Sequence, residues 1–396
     1  MPVPFVETGS YPTRAGNRID HLIDGESAFR RICEAIECAR ETVWATITFM
    51  WSSFQMPDGR GLALDVLDRA VRRGVDVRLI FWRPDDETAN LRPNAFWGSA
   101  EHLELLSRYD SRIGIRWDRA QPGYCQHQKS WLVDANRDDA TCFIGSANLN
   151  PRSVVRPGHS GVGRYRDVFV ELAGPCVVDV HHNFVQRWNE ASERAHPNGH
   201  WGHSGGADLR FPDHGPPPCG QTLAQIQRTI HSGRYTNGHP SPNGSSFDIA
   251  GGETTILDQY VAAIAAATRT IYIENQYLNV STVIDALSAA SDRGVHVVAV
   301  LPPDPPSLPF PTRGLVERGL DGARQPVHVH SKLMLVDDEW ATVGSCNLHR
   351  YSLYGNAELN VAFSDAGAVC SLRDALMEQH AGVSTHELSD VDRLAH

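Results

Sequence analysis

The chain has 396 residues, of which 41% are hydrophobic and 21% are charged, the composition of a soluble globular protein of about two or three domains. It contains no run of about 18 apolar residues and begins without a basic segment followed by an apolar one. We therefore expect neither a membrane span nor a secretory signal, and we predict a cytoplasmic location. The formal net charge of −11 argues against a nucleic-acid partner, because proteins that bind nucleic acids carry a basic stripe on their surface.

An internal repeat organises the chain. The elements predicted for the first copy are a helix that starts near residue 26, a strand over 43–49, a helix over 62–73 and a strand over 75–82. Those predicted for the second copy are a helix that starts near residue 253, a strand over 270–273, a helix over 283–293 and a strand over 295–301. Gly74 and Gly294 follow the second helix of each copy and suit the left-handed position beyond its last turn. Strand–helix–strand order predicts parallel pairing, so each copy is expected to be an α/β layer structure.

A stretch rich in Gly, Pro and His separates the two copies. We predict an N-terminal half over 1–195, a linker over 196–220 and a C-terminal half over 221–396. The spacing of the linker histidines matches no set of metal ligands, so a solvated loop is favoured over a metal site. These histidines are His196, His200, His203 and His214.

The strongest signal in the sequence occurs twice, once in each copy of the repeat. The first occurrence comprises His127, Lys129 and Asp134, and then Ser146 and Asn148 of a Gly-Ser-x-Asn turn. The second comprises His330, Lys332 and Asp337, and then Ser345 and Asn347 of the same kind of turn. Residues two apart in a strand point to the same face, so each histidine and its lysine are expected to project into one pocket. Two complete copies at matching places make coincidence a poor explanation.

This set of side chains suits the chemistry of a phosphodiester. The lysines, serines and asparagines would neutralise and orient the non-bridging oxygens, whose charge otherwise repels a nucleophile. One imidazole would attack phosphorus and form a covalent intermediate. The other would protonate the leaving oxygen and then deprotonate water or an alcohol. The lysines supply the positive charge, so we expect no metal and no cofactor, and the two halves must face each other.

Each histidine also needs a partner for its second ring nitrogen. An acidic residue in a β-like context follows each motif. We assign Asp167 to His127 and Glu358 to His330, each as the carboxylate that fixes the tautomer and stabilises the charged ring. The aspartate that ends each motif lies beyond the buried strand run, so a structural turn or salt bridge is favoured over a catalytic role.

With these motifs the chain resembles the phospholipase D superfamily, whose hallmark is two HxKx4D motifs that are each followed by GSxN. The resemblance runs from about residue 25 to about residue 380. Similar segments outside the motifs are 167–190, 228–230, 272–278 and 356–360, the last of which is similar to cardiolipin synthases. In one departure, ten residues separate Asp134 from Gly145, whereas six separate Asp337 from Gly344. We interpret the extra residues as a longer hairpin tip.

The resemblance implies a fold and a different catalytic role for each motif histidine. The expected fold is α/β, with two pseudo-symmetric α-β-α sandwich halves packed face to face around one shared active site. The expected mechanism is ping-pong, with His127 as the nucleophile and His330 as the general acid/base. The two halves are chemically near copies, so the residues alone leave that last assignment open.

The motif does not decide the substrate, because superfamily members act on phospholipids, nucleic acids and other phosphodiesters. The acidic charge and the lipid-type segments favour a glycerophospholipid, with transfer to water or an alcohol. The alternatives are a metal-independent nuclease, a cardiolipin synthase-like transferase, which the lack of a predicted membrane span weakens, and a binding protein with a dead site. Loop residues could touch a membrane surface transiently or simply pack in the protein; they are Trp51, Phe54, Met56, Phe96, Trp97 and the run 302–311. The sequence leaves the oligomeric state open.

Overall fold

The computed structural model describes residues 2–156, 163–194, 208–302 and 328–381. The predicted start of the linker, three linker histidines (His196, His200 and His203) and loop residues 303–311 lie outside these ranges. Within the described ranges, no group of His, Cys, Asp or Glu side chains is placed to hold a metal ion. No helix in the same ranges combines the length and the apolar character that crossing a bilayer requires.

The first half alternates strands and helices, as the repeat predicts. Its strands are β1 (Arg14–Ile23), β2 (Thr42–Ile47), β3 (Gln55–Met56), β4 (Gly61–Leu62), β5 (Asp76–Trp82), β6 (Gly114–Asp118), β7 (Ser130–Val133), β8 (Thr141–Gly145), β9 (Tyr165–Arg166) and β10 (Val168–Ala173). Its helices are α1 (Gly25–Cys38), α2 (Ala63–Arg72), α3 (Ala100–Leu106) and α4 (Val177–Glu190). Phe29, Ile32 and Ile36 lie at helical spacing on α1 and are all buried. Gly74 follows α2 with a φ of 95°, the left-handed conformation expected there.

The second half repeats this order within its described residues. Its strands are β11 (Thr222–Ile230), β12 (Glu253–Thr254), β13 (Thr270–Glu274), β14 (His296–Val300), β15 (His328–Val329), β16 (Leu333–Val336), β17 (Trp340–Gly344) and β18 (Glu358–Ser364). Its helices are α5 (Thr255–Ala266), α6 (Ser281–Asp292), α7 (Arg350–Tyr354) and α8 (Ala366–Ala381). Ile256, Tyr260 and Ile264 form the buried stripe of α5, which matches the stripe of α1.

The order of strands in the main sheet shows the pseudo-symmetry of the repeat. The hydrogen-bonded path runs β14-β13-β16-β17-β18-β11-β1-β10-β8-β7-β2-β5-β6, and β12 pairs with β11. Outward from the junction of β1 and β11, equivalent strands of the described residues follow in the same order on both sides, and β6 lies beyond β5 at the edge of the first half. β2 pairs with β5 in parallel, and β13 pairs with β14 in parallel, which confirms the predicted crossovers. Neither β1 nor β11 was predicted, and in β1 charged residues interrupt the apolar pattern.

The two half-sheets pack against each other. β8 and β10 contact β17 and β18, and one core cluster unites side chains of both halves, among them Ile144, Val170, Val343 and Val361. Helices α1 and α2 cover the outer face of the first half-sheet, and α5 and α6 cover that of the second. Helices α4 and α8 contribute to the shared core. The predicted architecture of two α-β-α halves packed face to face is confirmed.

Each motif leads into a hairpin of the same register. β7 pairs with β8 and β16 pairs with β17, both in antiparallel fashion. The third residue after each motif histidine, Ser130 or Leu333, lies opposite Ile144 or Val343 respectively. The extra residues of the first copy are therefore confined to the hairpin tip, as predicted.

The aspartate that ends each motif ties its hairpin to the neighbouring strand. Asp134 and Asp337 have φ values of 56° and 53°, in the left-handed region that aspartate tolerates in turns. The carboxylate of Asp337 accepts hydrogen bonds from the backbone N–H groups of Thr268, Arg269 and Thr270 at 2.7, 2.8 and 2.8 Å. Asp134 accepts three backbone N–H groups in the same way before and at the start of β2. These contacts agree with the structural turn role that the sequence favours.

Replacing Asp337 with Asn should lower the free energy of unfolding by about 1–3 kcal/mol, because one amide oxygen cannot replace two carboxylate oxygens as acceptors. Urea unfolding followed by circular dichroism measures this change. Burial alone would raise the pKa of Asp337, but the backbone donors outweigh burial and lower it. The stabilisation is therefore fully present above the unfolded pKa, about 3.9, and is lost as the pH falls through the lower folded value.

The matched control for this variant is D285N. Asp285 is exposed and has no hydrogen-bond partner in the described part of the chain, so the substitution should change stability by less than about 0.5 kcal/mol. An Asp337→Asn protein as stable as this control would contradict the structural role of the motif aspartate.

Candidate active site

Each motif histidine is held in place by the backbone of the other half. The N–H group of His127 donates to the carbonyl oxygen of Ala357 at 2.8 Å, and that of His330 donates to the carbonyl oxygen of Arg166 at 2.8 Å. Gln126 also pairs with Ala357 in parallel, and β15 pairs with β9 in parallel just before His330. The segment before each motif thus crosses to the other half, which brings both motifs to one seam.

The imidazole–carboxylate pairs cross between the halves as well. Nδ1 of His127 lies 2.9 Å from Oε2 of Glu358, and Nδ1 of His330 lies 2.6 Å from Oδ1 of Asp167. The expected pairing of Asp167 with His127 and of Glu358 with His330 is therefore wrong, and the partners are exchanged. The crossing segments explain the exchange, because each carboxylate directly follows the residue whose carbonyl accepts the histidine N–H.

The serines of the two Gly-Ser-x-Asn turns orient the carboxylates. Ser146 Oγ donates to Asp167 at 2.7 Å, and Ser345 Oγ donates to Glu358 at 2.6 Å. Each hydroxyl also accepts a backbone N–H from the residue after that acid, and both serines are fully buried. The preceding glycine permits this approach, because a Cβ on Gly145 would lie 2.5 Å from a carbonyl oxygen of β10. These contacts favour a positioning role, and the phosphate-binding role of the two serines stays a prediction.

The two motif lysines are the only lysines among the 36 lysine and arginine residues of the chain. Both are buried. Nζ of Lys129 donates to the carbonyl oxygen of His127 at 2.7 Å and to Thr48 Oγ1 at 3.3 Å, and Nζ of Lys332 donates to the carbonyl oxygen of His330. An ammonium has three N–H donors, so each lysine keeps at least one for an anion. Burial lowers the pKa of Lys129 to about 8 and that of Lys332 to about 7, although the nearby carboxylates oppose this effect.

The asparagines of the two turns carry amides without partners. Oδ1 of Asn148 and Oδ1 of Asn347 are buried, and neither has a hydrogen-bond partner among the described residues. An unpaired buried amide oxygen costs free energy, and only a ligand with an O–H or N–H group supplies the missing donor. The non-bridging oxygens of a phosphodiester accept hydrogen bonds, so only the amide N–H groups could bind them, and the phosphate-binding role of Asn148 and Asn347 stays a prediction.

The pKa of each motif imidazole depends on burial and on charged groups of both halves. Burial lowers the pKa of His127 to about 4 and that of His330 to about 3, and the paired carboxylates oppose burial only in part. Lys332 also lowers the pKa of His127, and Lys129 lowers that of His330. Burial raises the pKa of each paired carboxyl group, but its histidine, a motif lysine and the serine hydroxyl together outweigh burial and lower the pKa. At neutral pH the arrangement therefore favours neutral imidazoles that donate from Nδ1 to ionised carboxylates.

Aromatic rings of the first half enclose both imidazoles. The ring of Tyr165 stacks on His330 with centroids 5.2 Å apart and planes inclined by 19°. The ring of Phe49 meets His127 edge-on, with centroids 6.5 Å apart. These contacts restrict rotation of the imidazoles and hold Nε2 in a fixed direction.

The middle residue of each motif is anchored to buried polar residues that the sequence analysis did not identify. Ser331 Oγ donates to Glu274 at 2.5 Å, and Glu274 also accepts a hydrogen bond from Arg166 at 3.0 Å. In the other half, Gln128 accepts a hydrogen bond from Arg187 at 3.0 Å. Glu274 and Arg187 fall in segments that resemble the superfamily, so the resemblance indicated their importance, but only the structure shows their partners.

Three of the loop residues proposed for membrane contact belong to the core instead. Phe54, Met56 and Phe96 are buried in the core of the first half, where the ring of Phe54 packs edge-on against Phe29 at 5.1 Å. The prediction of a membrane rim is wrong for these three residues, because their loops fold back over α1 and β5. Trp51 and Trp97, by contrast, are half-buried.

Fold and site together define a class of protein with two α/β halves, in which one composite site takes a histidine, a lysine and a carboxylate from each half. Residues 32–170 and 260–380 match the family model described as cardiolipin synthase, phospholipase D-like domain. These segments cover more than half of the chain. The protein therefore belongs to the phospholipase D superfamily.

Known relatives match nearly the whole chain. It is 26% identical to cardiolipin synthase A of Pseudomonas entomophila (strain L48), over 98% of this chain and 74% of that protein. It is also 26% identical to cardiolipin synthase B of Salmonella typhi, over 96% of this chain and 83% of that protein. The crystal structure of phosphatidylserine synthase from Haemophilus influenzae Rd KW20 gives a TM-score of 0.59 at 13% identity, over 91% of this chain and 86% of that one. At that identity the likeness concerns the fold alone.

The presence of only two lysines permits a direct test of the electrostatics. Selective ¹³C labelling of lysine should give two side-chain NMR signals, which Lys129→Arg assigns by removing one of them. The signals should titrate at about 8 for Lys129 and about 7 for Lys332, because burial disfavours the ammonium form. Added inorganic phosphate should raise both pKa values, because an anion stabilises the ammonium form. Two signals that titrate near the ordinary lysine value, about 10.4, would contradict this description of the site.

Proposed function

We propose that the protein is a phosphatidyltransferase of the phospholipase D type. It would cleave the head-group phosphodiester of a glycerophospholipid through a covalent phosphohistidine and pass the phosphatidyl group to an alcohol or to water. The observation that carries the proposal is the pair of buried histidine–carboxylate bonds that cross between the halves, next to the only two lysines of the chain. The names of the relatives, cardiolipin synthases, favour a lipid over other phosphodiesters.

The reaction has two steps with balanced proton transfers. In the first step Nε2 of His127 attacks phosphorus, and the bond from phosphorus to the head-group oxygen breaks while His330 gives that oxygen a proton. In the second step the acceptor hydroxyl gives its proton to His330 as its oxygen attacks phosphorus, and the P–N bond to His127 breaks. The lysine ammonium groups and the asparagine amides stabilise the charge on the non-bridging oxygens throughout.

A difference between the two carboxylates supports this assignment of roles. Glu358 Oε1 also accepts a hydrogen bond from Ser352, whereas Oδ2 of Asp167 is buried without a hydrogen-bond partner among the described residues. Asp167 therefore keeps more negative potential for its imidazole and favours the protonated form of His330, as a general acid requires. Burial, the largest cause, and Lys332 oppose this effect and lower the pKa of His330 to about 3, and the negative charge of a bound phosphodiester would raise it again.

Replacing His127 with Ala should abolish the covalent intermediate, because the nucleophile is gone. Replacing His330 with Ala should still permit the intermediate from bis-p-nitrophenyl phosphate, whose leaving group needs no proton. The same variant should lower turnover of phosphatidylcholine by about 10²–10⁴-fold, because its leaving group does need one. Mass spectrometry of rapidly quenched, digested protein locates the label. Label on His330 would reverse the roles, and label on neither histidine would contradict the covalent mechanism.

A substrate panel tests the substrate class with the same protein. The panel comprises phosphatidylcholine, phosphatidylethanolamine, phosphatidylglycerol, single-stranded DNA and bis-p-nitrophenyl phosphate, each with and without an added alcohol. We expect release of lipid head groups and transfer to the alcohol, both unchanged in EDTA. Cleavage of DNA without cleavage of lipid would favour the nuclease alternative. Activity that EDTA removes and a divalent ion restores would count against the mechanism.

Because Glu358 pairs with His127 and Asp167 pairs with His330, Glu358→Gln and Asp167→Asn should slow different steps of the reaction. E358Q should slow formation of the intermediate with either substrate, because Glu358 serves the nucleophile. D167N should slow the cleavage of phosphatidylcholine far more than the cleavage of bis-p-nitrophenyl phosphate, because only the lipid leaving group needs a proton. Each loss should be about 10²–10⁴-fold in rapid-quench kinetics.

The control for both variants is E339Q, because Glu339 is exposed and lies outside the site. It should behave as the wild type with both substrates. Equal losses for E358Q and D167N on both substrates would argue against separate roles for the two carboxylates.

A further inference from the structure

The carboxylate of Glu274, the last residue of β13, is fully buried and accepts four hydrogen bonds. Its Oε1 accepts from the hydroxyl of Tyr272 at 2.7 Å and from Nε2 of His380 at 2.8 Å. Its Oε2 accepts from Nε of Arg166 at 3.0 Å and from Oγ of Ser331 at 2.5 Å. Burial alone would raise the pKa of Glu274, but Arg166, His380 and Ser331 together outweigh burial and hold the pKa well below its usual range. The group is therefore ionised at neutral pH, and it joins β13, β9, α8 and the second motif.

Two of these donors adjoin the groups that hold His330. Ser331 follows His330 in the chain, and Arg166 precedes Asp167. The carbonyl oxygen of Arg166 accepts the backbone N–H of His330 at 2.8 Å. The carboxylate of Asp167 lies 2.6 Å from Nδ1 of the same histidine. Glu274 therefore fixes both members of this histidine–carboxylate pair, each through the residue beside it in the chain.

The position equivalent to Glu274 in the first half carries no charge. Glu274 lies opposite Leu333 in the pairing of β13 with β16. Thr46 lies opposite Ser130 in the pairing of β2 with β7. Leu333 and Ser130 are each the third residue after their motif histidine, so Thr46 is the counterpart of Glu274. Thr46 Oγ1 and Ser130 Oγ share a hydrogen bond of 2.8 Å, and a neutral hydroxyl pair thus takes the place of the buried carboxylate.

The arginine has an uncharged counterpart as well. The backbone N–H of His127 donates to the carbonyl oxygen of Ala357. That of His330 donates to Arg166, whose side chain is fully buried. The same arrangement of strands thus forms with neutral residues at both positions. Replacing a buried ion pair with neutral residues is often without loss of stability. The ion pair beside His330 therefore points to a role in function.

We infer that Glu274 is a positioning residue for the general acid/base. Through Arg166 and Ser331 it holds the pair of His330 and Asp167 in the geometry that proton transfer requires. The inference rests on the proposed function, in which His330 protonates the leaving oxygen and later deprotonates the acceptor hydroxyl. A proton donor must stay within hydrogen-bond reach of its target, and a displacement of about 1 Å can lower a rate about 10²-fold.

The test compares two substrates whose leaving groups differ in their need for a proton. Glu274→Gln keeps the size of the side chain but replaces one acceptor oxygen with an NH₂ group. It should lower turnover of phosphatidylcholine by about 10–100-fold, because the general acid is displaced. Formation of the phosphohistidine from bis-p-nitrophenyl phosphate should stay within about threefold of the wild-type rate, because that leaving group needs no proton. Rapid-quench kinetics measures both rates.

A double variant, Glu274→Thr with Arg166→Ala, separates positioning from folding. It gives the second half the uncharged residues of the first and leaves neither partner of the ion pair buried alone, so it should fold. We expect the same selective loss with phosphatidylcholine. A folded double variant that cleaves phosphatidylcholine at the wild-type rate would overturn the inference, because the ion pair would then serve stability alone. Equal losses with both substrates, in this variant or in folded E274Q, would overturn it as well.

Ser331→Ala is the mildest form of the test, because it removes one hydrogen bond of Glu274 and keeps both charges of the ion pair. It should lower turnover of phosphatidylcholine by about threefold or more and leave the reaction of bis-p-nitrophenyl phosphate unchanged. Should neither of the other variants fold, this comparison decides. An S331A protein with unchanged rates, or with equal losses for both substrates, would overturn the inference.

The matched control is Glu171→Gln. Glu171 is buried like Glu274 and accepts hydrogen bonds from Arg31 at 2.8 and 2.7 Å. It lies on β10, four residues beyond Asp167, which is about 13 Å along an extended chain. E171Q should lower the stability of the protein without changing the ratio of the two rates. A changed ratio in E171Q would overturn the inference, because the loss of any buried carboxylate would then produce the effect.

A measurement without turnover separates this inference from the proposed function. If the wild type does not cleave phosphatidylcholine, the proposed function has failed, but ¹H–¹⁵N NMR of the histidine rings still tests the positioning. The Nδ1 proton that His330 donates to Asp167 should give a low-field signal, assigned by its absence in H330A. E274Q should shift this signal and leave that of the bond from His127 to Glu358 in place. An unchanged His330 signal, or equal shifts of both signals, would overturn the inference.

Discussion

Two buried hydrogen bonds that run between the halves, from His127 to Glu358 and from His330 to Asp167, constrain the rest of this structure. Neither motif histidine takes its carboxylate from its own half. A carboxylate or an imidazole left in this seam without its partner would be a buried polar group without compensation, which costs several kcal/mol. The halves must therefore stay docked in one register. The shared apolar core and the junction of β1 with β11 hold them there.

The charged groups in the seam differ from those on the surface of this acidic protein. The chain uses arginine for its surface ion pairs and keeps its two lysines for the site. A buried lysine loses its proton more easily than a buried arginine, so an anion that enters the site restores the charge of Lys129 and Lys332 as it binds. The same anion raises the proton affinity of the imidazoles. In this way the charge of the proposed substrate prepares the site for proton transfer, and no other cation has to be invoked for that step.

The catalytic groups are the same in the two halves, whereas the residues around them differ. Histidine, lysine, serine, asparagine and carboxylate recur with equivalent contacts in both halves. The carboxylates nevertheless differ in their donors, since Ser352 binds Glu358 whereas the equivalent Ser153 binds nothing through its hydroxyl among the described residues. The short helical segment after each Gly-Ser-x-Asn turn also begins differently, with Pro151 in the first half and Arg350 in the second. A symmetric pocket can bind one phosphorus between two imidazoles, but distinct roles for those imidazoles require such differences.

The sequence by itself determined the repeat, the parallel crossovers, the hairpin after each motif and the identity of the six groups that meet in the seam, because periodicity and spacing are local properties of the chain. The tertiary structure alone decided which carboxylate serves which histidine, because the pairing depends on segments that cross between the halves. It also decided that Ser146 and Ser345 face the carboxylates and that Phe54, Met56 and Phe96 lie in the core. The direction of a side chain that leaves a turn or a loop depends on what packs above it, and the order of residues along the chain does not contain that information.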